Sequence, residues 1–285
     1  MTPSDKLRAQ HLRRQFAAVA LLPDHRMELA RSALLIGAEE QAAHPFSIEE
    51  NLSQLEGMGA RLAALLAAKD ADPIEVFNRY FFDELGFAGN TENYYDPRNS
   101  MLHEVLARRS GIPITLSLVY MEIGRRAGLQ VEGVGLPGHF IVRVKVEHKD
   151  AGALIDTFGR AILDVEDCQR KLDELYQGQL ALRTEHLRAV STREILIRML
   201  ANLKTIYQRQ GMPREALAAT ERILLLAPDS MDERRDRGLL LAQLNRASEA
   251  MDELRLFLRS TPATADAAGV REQLRLLHLK LASLN

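Results

Sequence analysis

Phe140, Val142, Val144 and Val146 fall on one face of an extended chain. His139, Ile141, Arg143, Lys145 and Glu147 fall on the other. Elsewhere the 285-residue chain reads almost wholly at helical period. A lone strand cannot satisfy its own backbone amides, so this one requires neighbours. Residues 154–158 read as the return strand after a turn at 149–152, and Gln130–Val134 as a third strand. A small antiparallel sheet is therefore the feature that the helices must be arranged around.

The helices flank it on both sides. In residues 1–90, Met27, Ala30, Leu34 and Leu35 recur at helical spacing, and Ser47 with Glu50 forms a capping-box signature. The stripe Leu52, Leu55, Leu62, Leu65 and Leu66 is interrupted by Gly57 and Gly59, which suggests that one helix ends there and another begins. Asp72-Pro73 opens a further helix carrying Val76, Phe77, Tyr80, Phe81 and Leu85. Asp96-Pro97 opens the helix of Leu102, Val105 and Leu106. Gly111-Ile112-Pro113 breaks the chain, and Pro113 starts a helix with Leu116, Val119, Tyr120, Ile123 and Ala127 on one face and Gly128 as its cap.

From Ser191 the chain repeats. Gly211 and Asn245, Ala216 and Ala250, and Pro228 and Pro262 are each 34 residues apart. That period, with alanine at close helix crossings and proline after the second helix, is the tetratricopeptide pattern. Ser230 and Glu233 again make a capping signature, and Val270, Leu274 and Leu277 line a last helix.

Composition narrows the function classes. A formal net charge of −2 gives no basic footprint for nucleic acid and no polybasic signal for a membrane surface. The apolar runs are too short to span a bilayer, and residues 16–22 behind the charged start are too short for a signal peptide. The one cysteine, Cys168, allows no internal disulfide, so a cytoplasmic setting is expected. It follows Asp164, Glu166 and Asp167, whose charges oppose a reactive thiolate and favour a structural role. The eight histidines show no metal-ligand spacing, and nothing calls for a cofactor. Arg234, Arg235 and Arg237 alternate with Asp232, Glu233 and Asp236, which reads as a solvated helical face rather than an acidic-peptide clamp. The polar-aromatic loop of Tyr94, Tyr95, Asp96, Arg98 and Asn99 suits either binding or the locking of a helix start.

Four segments carry a resemblance. They are Tyr94-Tyr95-Asp96-Pro97-Arg98-Asn99-Ser100, Arg109-x-Gly111-Ile112-Pro113-Ile114, Gly133-Val134-Gly135-Leu136-Pro137-Gly138-His139-Phe140, and Ile155-Asp156. Together they resemble the SirB family of bacterial proteins, a divergent branch of the transglutaminase-like superfamily joined to tetratricopeptide-like repeats. The resemblance implies an α+β, mostly helical, papain-like domain with a small antiparallel sheet over residues 1–185. Its helical part would be 1–90 and its core 91–165. An all-α repeat domain would follow over 186–285. It also implies that His139 and Asp156 match the superfamily's catalytic histidine and aspartate, side by side near the start of the helix at Pro113. The superfamily's cysteine has no counterpart: its place reads Ile112-Pro113-Ile114-Thr115. Thr115 and Ser117 offer hydroxyls there, and an alcohol needs stronger activation than a thiol.

Two functions remain. One is a degenerate, non-catalytic transglutaminase-like protein whose repeats take a protein or peptide partner, in a regulatory role. The other is a hydrolase or acyl transferase acting on amide bonds, with a His139–Asp156 dyad and a hydroxyl nucleophile from Ser117 or Thr115. Hairpin arithmetic adds its own tension. A two-residue turn at Lys149-Asp150 would set Arg143, not His139, opposite Asp156.

Overall fold

In a computed structural model describing residues 2–67, 71–146, 149–261 and 266–282, the chain forms two compact units, Met1–Leu196 and Ile197–Asn285. The first begins with α1 (Pro3–Ala20), α2 (Leu29–Glu40), α3 (Ile48–Leu66) and α4 (Pro73–Arg79), the last widening into a π-helical turn at Tyr80–Glu84. Next come β1 (Ala88–Gly89), α5 (Leu102–Arg108), β2 (Ser110–Gly111) and α6 (Pro113–Arg126). The sheet follows as β3 (Gln130–Val134), β4 (Ile141–Val146), β5 (Lys149–Asp156) and β6 (Ala161–Leu163), and α7 (Val165–Tyr176) comes after it. The sheet is antiparallel in the order β3-β4-β5-β6.

The sheet has the three expected strands and a fourth, β6. The expected turn at 149–152 is instead part of β5; Glu147 and His148 lie outside the described residues. β1 and β2 form a separate parallel pair, Ala88 with Ser110 and Gly89 with Gly111, which fixes the chain entering α6. Gly57 and Gly59 do not divide α3. Gly59 stands where α3 comes closest to α6: a Cβ there would lie 2.3 Å from that of Arg126, so the glycine permits the contact and the helix runs through. The Ser47 hydroxyl caps α3 by accepting from the Glu50 amide at 3.1 Å.

α6 is the central element. Every residue from Pro113 to Gly124 is buried, and Tyr120 stacks on Phe77 at 3.7 Å while its hydroxyl donates to Asn78. Apolar sequence on all sides of a helix is what such enclosure requires.

The second unit contains most of α8 (Thr192–Arg209), then α9 (Pro213–Leu226), α10 (Met231–Gln243), α11 (Ala247–Ser260) and α12 (Ala267–Ala282). Its backbone repeats as the sequence does. Gly211 and Asn245 both take left-handed φ, +67° and +61°. The Met212 amide bonds the Tyr207 carbonyl, and the Arg246 amide bonds that of Leu241. The Ala227–Ile223 bond has its copy at Thr261–Phe257. Pro262 lies outside the described residues.

Ala216 and Ala250 are fully buried. Opposite Ala250, a Cβ on Gly238 would stand 2.7 Å from Leu254, which marks a close crossing of α10 and α11. Ala250→Leu should overpack this crossing and destabilise by about 1–3 kcal/mol, read as a lower melting temperature; an unchanged value would contradict the crossing.

The arginines of α10 are not simply solvated. Lys204 on α8 sits 2.7 Å from both Glu233 and Asp236; Arg235 meets Asp236 and Asp266; Arg234 and Arg237 share Glu253. Glu233 thus turns to Lys204 instead of completing its capping box, while Ser230 still accepts from the Glu233 amide at 3.4 Å.

Candidate functional site

A turn closed by the His139 amide on the Leu136 carbonyl leads into β4, with Gly138 at φ +71°. That conformation suits glycine and strains other residues. β4 and β5 pair Val142 with Ile155, Arg143 with Leu154 and Val144 with Ala153. Paired numbers therefore have an odd sum, and strand alternation puts His139 and Asp156 on one face. Arg143 does not sit opposite Asp156. Its guanidinium donates to the Leu187 carbonyl at 2.6 Å. The two-residue-turn arithmetic fails because Lys149 pairs with Val146 instead of starting the turn, and the ladder then slips between Val146 and Val144.

His139 Nε2 lies 3.0 Å from Asp156 Oδ1, and Lys171 Nζ lies 2.7 Å from Oδ2. The Lys171 contact is a close ion pair and the His139 contact a close polar approach, both off the ideal hydrogen-bond line. Oδ1 also accepts from the Phe158 and Gly159 amides, each at 3.0 Å. The Asp156 side chain is 1 % exposed and that of His139 13 %. Burial by itself pushes the Asp156 carboxyl up. His139, Lys171 and the Gly159 amide outweigh it and hold the group well below the usual carboxylate range.

The candidate hydroxyls are engaged elsewhere. Thr115 Oγ1 accepts from the Ile112 amide at 3.2 Å and donates to the Asn99 carbonyl at 2.7 Å, so it closes the first turn of α6. Gly111 must lack a side chain because a Cβ there would stand 2.8 Å from that oxygen. Ser117 Oγ bonds Thr157 Oγ1 at 2.9 Å, which joins α6 to the residue after Asp156. Both residues are fully buried, and neither hydroxyl is bonded to His139. The structure thus brings His139 and Asp156 together beside α6 without turning either hydroxyl to the histidine.

Cys168 is buried in the cluster of Val134, Leu136, Ile141 and Leu154. Its thiol is pushed up to about 11, first by burial and then by Asp167 and Asp164. Burial, which sequence does not display, outweighs the carboxylates that sequence does. Cys168→Ser should leave any partner binding or turnover intact, and a thiol reagent should label the native protein slowly; loss of function in a folded variant would overturn this.

Around the pair, Tyr94 meets Phe158 edge-on at 5.9 Å and Tyr95 at 5.3 Å, and both tyrosines are exposed. Asn99 holds their loop. Its Nδ2 donates to the Asn93 and Tyr94 carbonyls, and its Oδ1 accepts from Asn90 and Arg108. Sequence reading missed Lys171, Thr157 and Phe158. Only the spacing of Lys171 with Cys168 and Leu172 on one helical face pointed to the first. Among the described residues no group of His, Cys, Asp and Glu is arranged to hold a metal ion.

Comparison with known proteins agrees with this architecture. The transglutaminase-like superfamily model matches residues 49–201, and a tetratricopeptide repeat model matches residues 203–275. A UPF0162 protein of Xylella fastidiosa (strain Temecula1) is 33% identical over 260 residues, which is 90% of this chain and 92% of the relative. A UPF0162 protein of Pseudomonas aeruginosa is 32% identical over 251 residues, 87% and 88% of the two chains. Human F-box only protein 21 is 32% identical over 147 residues, 49% of this chain and 22% of its own. No solved structure matches the chain. On the matches over both parts of its length, the chain belongs to the UPF0162 family, with a transglutaminase-like domain followed by tetratricopeptide repeats.

Proposed function

We propose that this protein is a degenerate transglutaminase-like binding protein, regulatory rather than catalytic. In this reading it takes a protein or peptide partner through its repeats and acts in the cytoplasm, as a SirB-type protein. The observation that carries the reading is the engagement of Thr115 by the Asn99 carbonyl and of Ser117 by Thr157, which leaves neither hydroxyl on His139. Nucleophilic catalysis needs that contact, at roughly 2.6–3.2 Å or somewhat looser without substrate. One observation favours the alternative, a hydrolase or acyl transferase of amide bonds: the 3.0 Å His139–Asp156 contact is kept. In that case a nucleophile on the substrate, or a rearranged Ser117 or Thr115, would use the histidine.

The test is a pair of measurements. Intact protein should release no ammonia or amine from glutaminyl peptides above buffer, and should capture a partner that residues 1–185 alone do not. Turnover that disappears in His139→Ala would overturn the reading in favour of the enzyme.

A further inference from the structure

Four contacts fall on the two oxygens of Asp156, and they are unevenly shared. Oδ1 faces His139 and the amides of Phe158 and Gly159. Oδ2 faces Lys171. A buried carboxylate oxygen without a partner is costly, so without Lys171 the group would rotate or take up a proton. Either change alters what His139 Nε2 meets.

Lys171 is delivered by α7. An Asp164–Asp167 capping box starts that helix, with the Asp164 amide donating to Asp167 and the Asp167 amide to Asp164. Cys168 and Leu172 on the same face are buried, and Cys168 packs in the cluster that includes Ile141 and Leu154 from the β4–β5 ladder. One turn on, Leu175 and Tyr176 reach the Gly138 turn: a Cβ on Gly138 would stand 3.1 Å from Leu175 and 3.3 Å from the Tyr176 hydroxyl. α7 therefore places Lys171 at Asp156 and Leu175 and Tyr176 beside the Gly138 turn that leads into His139. Gly159 supplies an independent sign that Oδ2 is held in place, because a Cβ there would lie 2.8 Å from that oxygen.

We infer that Lys171 is a positioning residue of this site: by holding Oδ2 it fixes the Asp156 carboxylate, and through Oδ1 it fixes the ring of His139 in one tautomer with Nε2–H toward the aspartate. Cys168 then has a purpose that needs no thiol chemistry, since it seats the helix that carries the lysine. The inference concerns the His139–Asp156 pair that the proposed reading keeps without catalysis, and its test needs neither partner nor turnover, so the two can fail separately.

The tautomer is read in the intact protein from the ring nitrogen shifts of His139 by NMR, at a pH above the ring's own titration in the same spectra. Wild type should show the single Nε2–H form. Lys171→Met should show a mixture of tautomers, while Lys171→Arg restores the single form. Gly159→Ala, which leaves the lysine in place but crowds Oδ2, should reproduce the mixture. A single unchanged tautomer in both Lys171→Met and Gly159→Ala, with folding retained, would overturn the proposal. So would failure of Lys171→Arg to restore it. If Lys171→Met does not fold, Lys171→Gln takes its place; collapse of that variant as well would make Lys171 a folding residue and equally refute a positioning role.

Discussion

Asp156→Ala is expected to destabilise the first unit by about 3–5 kcal/mol, the cost of removing one partner from a buried charge pair. The deletion strands the Phe158 and Gly159 amides and leaves His139 and Lys171 without their shared acceptor. Asp156→Asn should cost less, about 1–3 kcal/mol, because Oδ1 keeps its role while the amide NH2 opposes Lys171. Urea unfolding measures both. The same carboxylate makes a pH prediction. Its folded value lies below the ordinary 3.8, so its stabilisation is complete above that pH and is lost as pH falls through the folded value. Asp156→Asn should therefore lose less stability than wild type between neutral pH and strong acid. Parallel acid titrations of the two proteins would refute the assignment of Asp156 as the ionised partner.

Asn99→Ala should cost about 2–4 kcal/mol, since its fully buried amide joins four groups and each orphaned one costs about 1–3 kcal/mol before relaxation. The loss should be local as well as global. Amide exchange over residues 93–100 should accelerate more than exchange in α6, because Thr115 still accepts from the Ile112 amide and donates to the Asn99 backbone carbonyl, which the substitution keeps. Equal acceleration in both places would show that the loop and the helix start are one cooperative piece.

How far the sequence could be read follows from the range of each interaction. Alternation from Phe140 onward is local and was legible; that His139 and Asp156 lie side by side was implied by the family resemblance, while hairpin arithmetic pointed to Arg143. The repeat was legible because Gly211 and Asn245 solve the same turn, one with glycine and one with asparagine, the two residue types most tolerant of left-handed φ. β1 and β2, of two residues each, are too short to carry a periodic signal. Lys171 left only the faint signal of its spacing with Cys168 and Leu172, because its partner lies on a strand in another element. Gly59 read as a helix break because sequence does not reveal Arg126 against it. The hairpin register was missed because Lys149 pairs with Val146 and the ladder slips beyond Val144, where Gly152 takes φ +67° and its Cβ would meet the Val144 carbonyl at 2.8 Å.

The ion pairs of the repeat unit have a kinetic consequence. Lys204, Arg234, Arg235 and Arg237 each stand against a carboxylate. Interleaved charges of this kind cancel beyond about one Debye length, roughly 8–10 Å at moderate salt. In the proposed reading, a partner docking on this face would consequently not be drawn in from afar. Its association rate would belong near the unsteered 10⁵–10⁶ M⁻¹s⁻¹, on the order of a neutral encounter, and would change little with ionic strength. Discrimination between such partners would then fall to dissociation rather than to encounter.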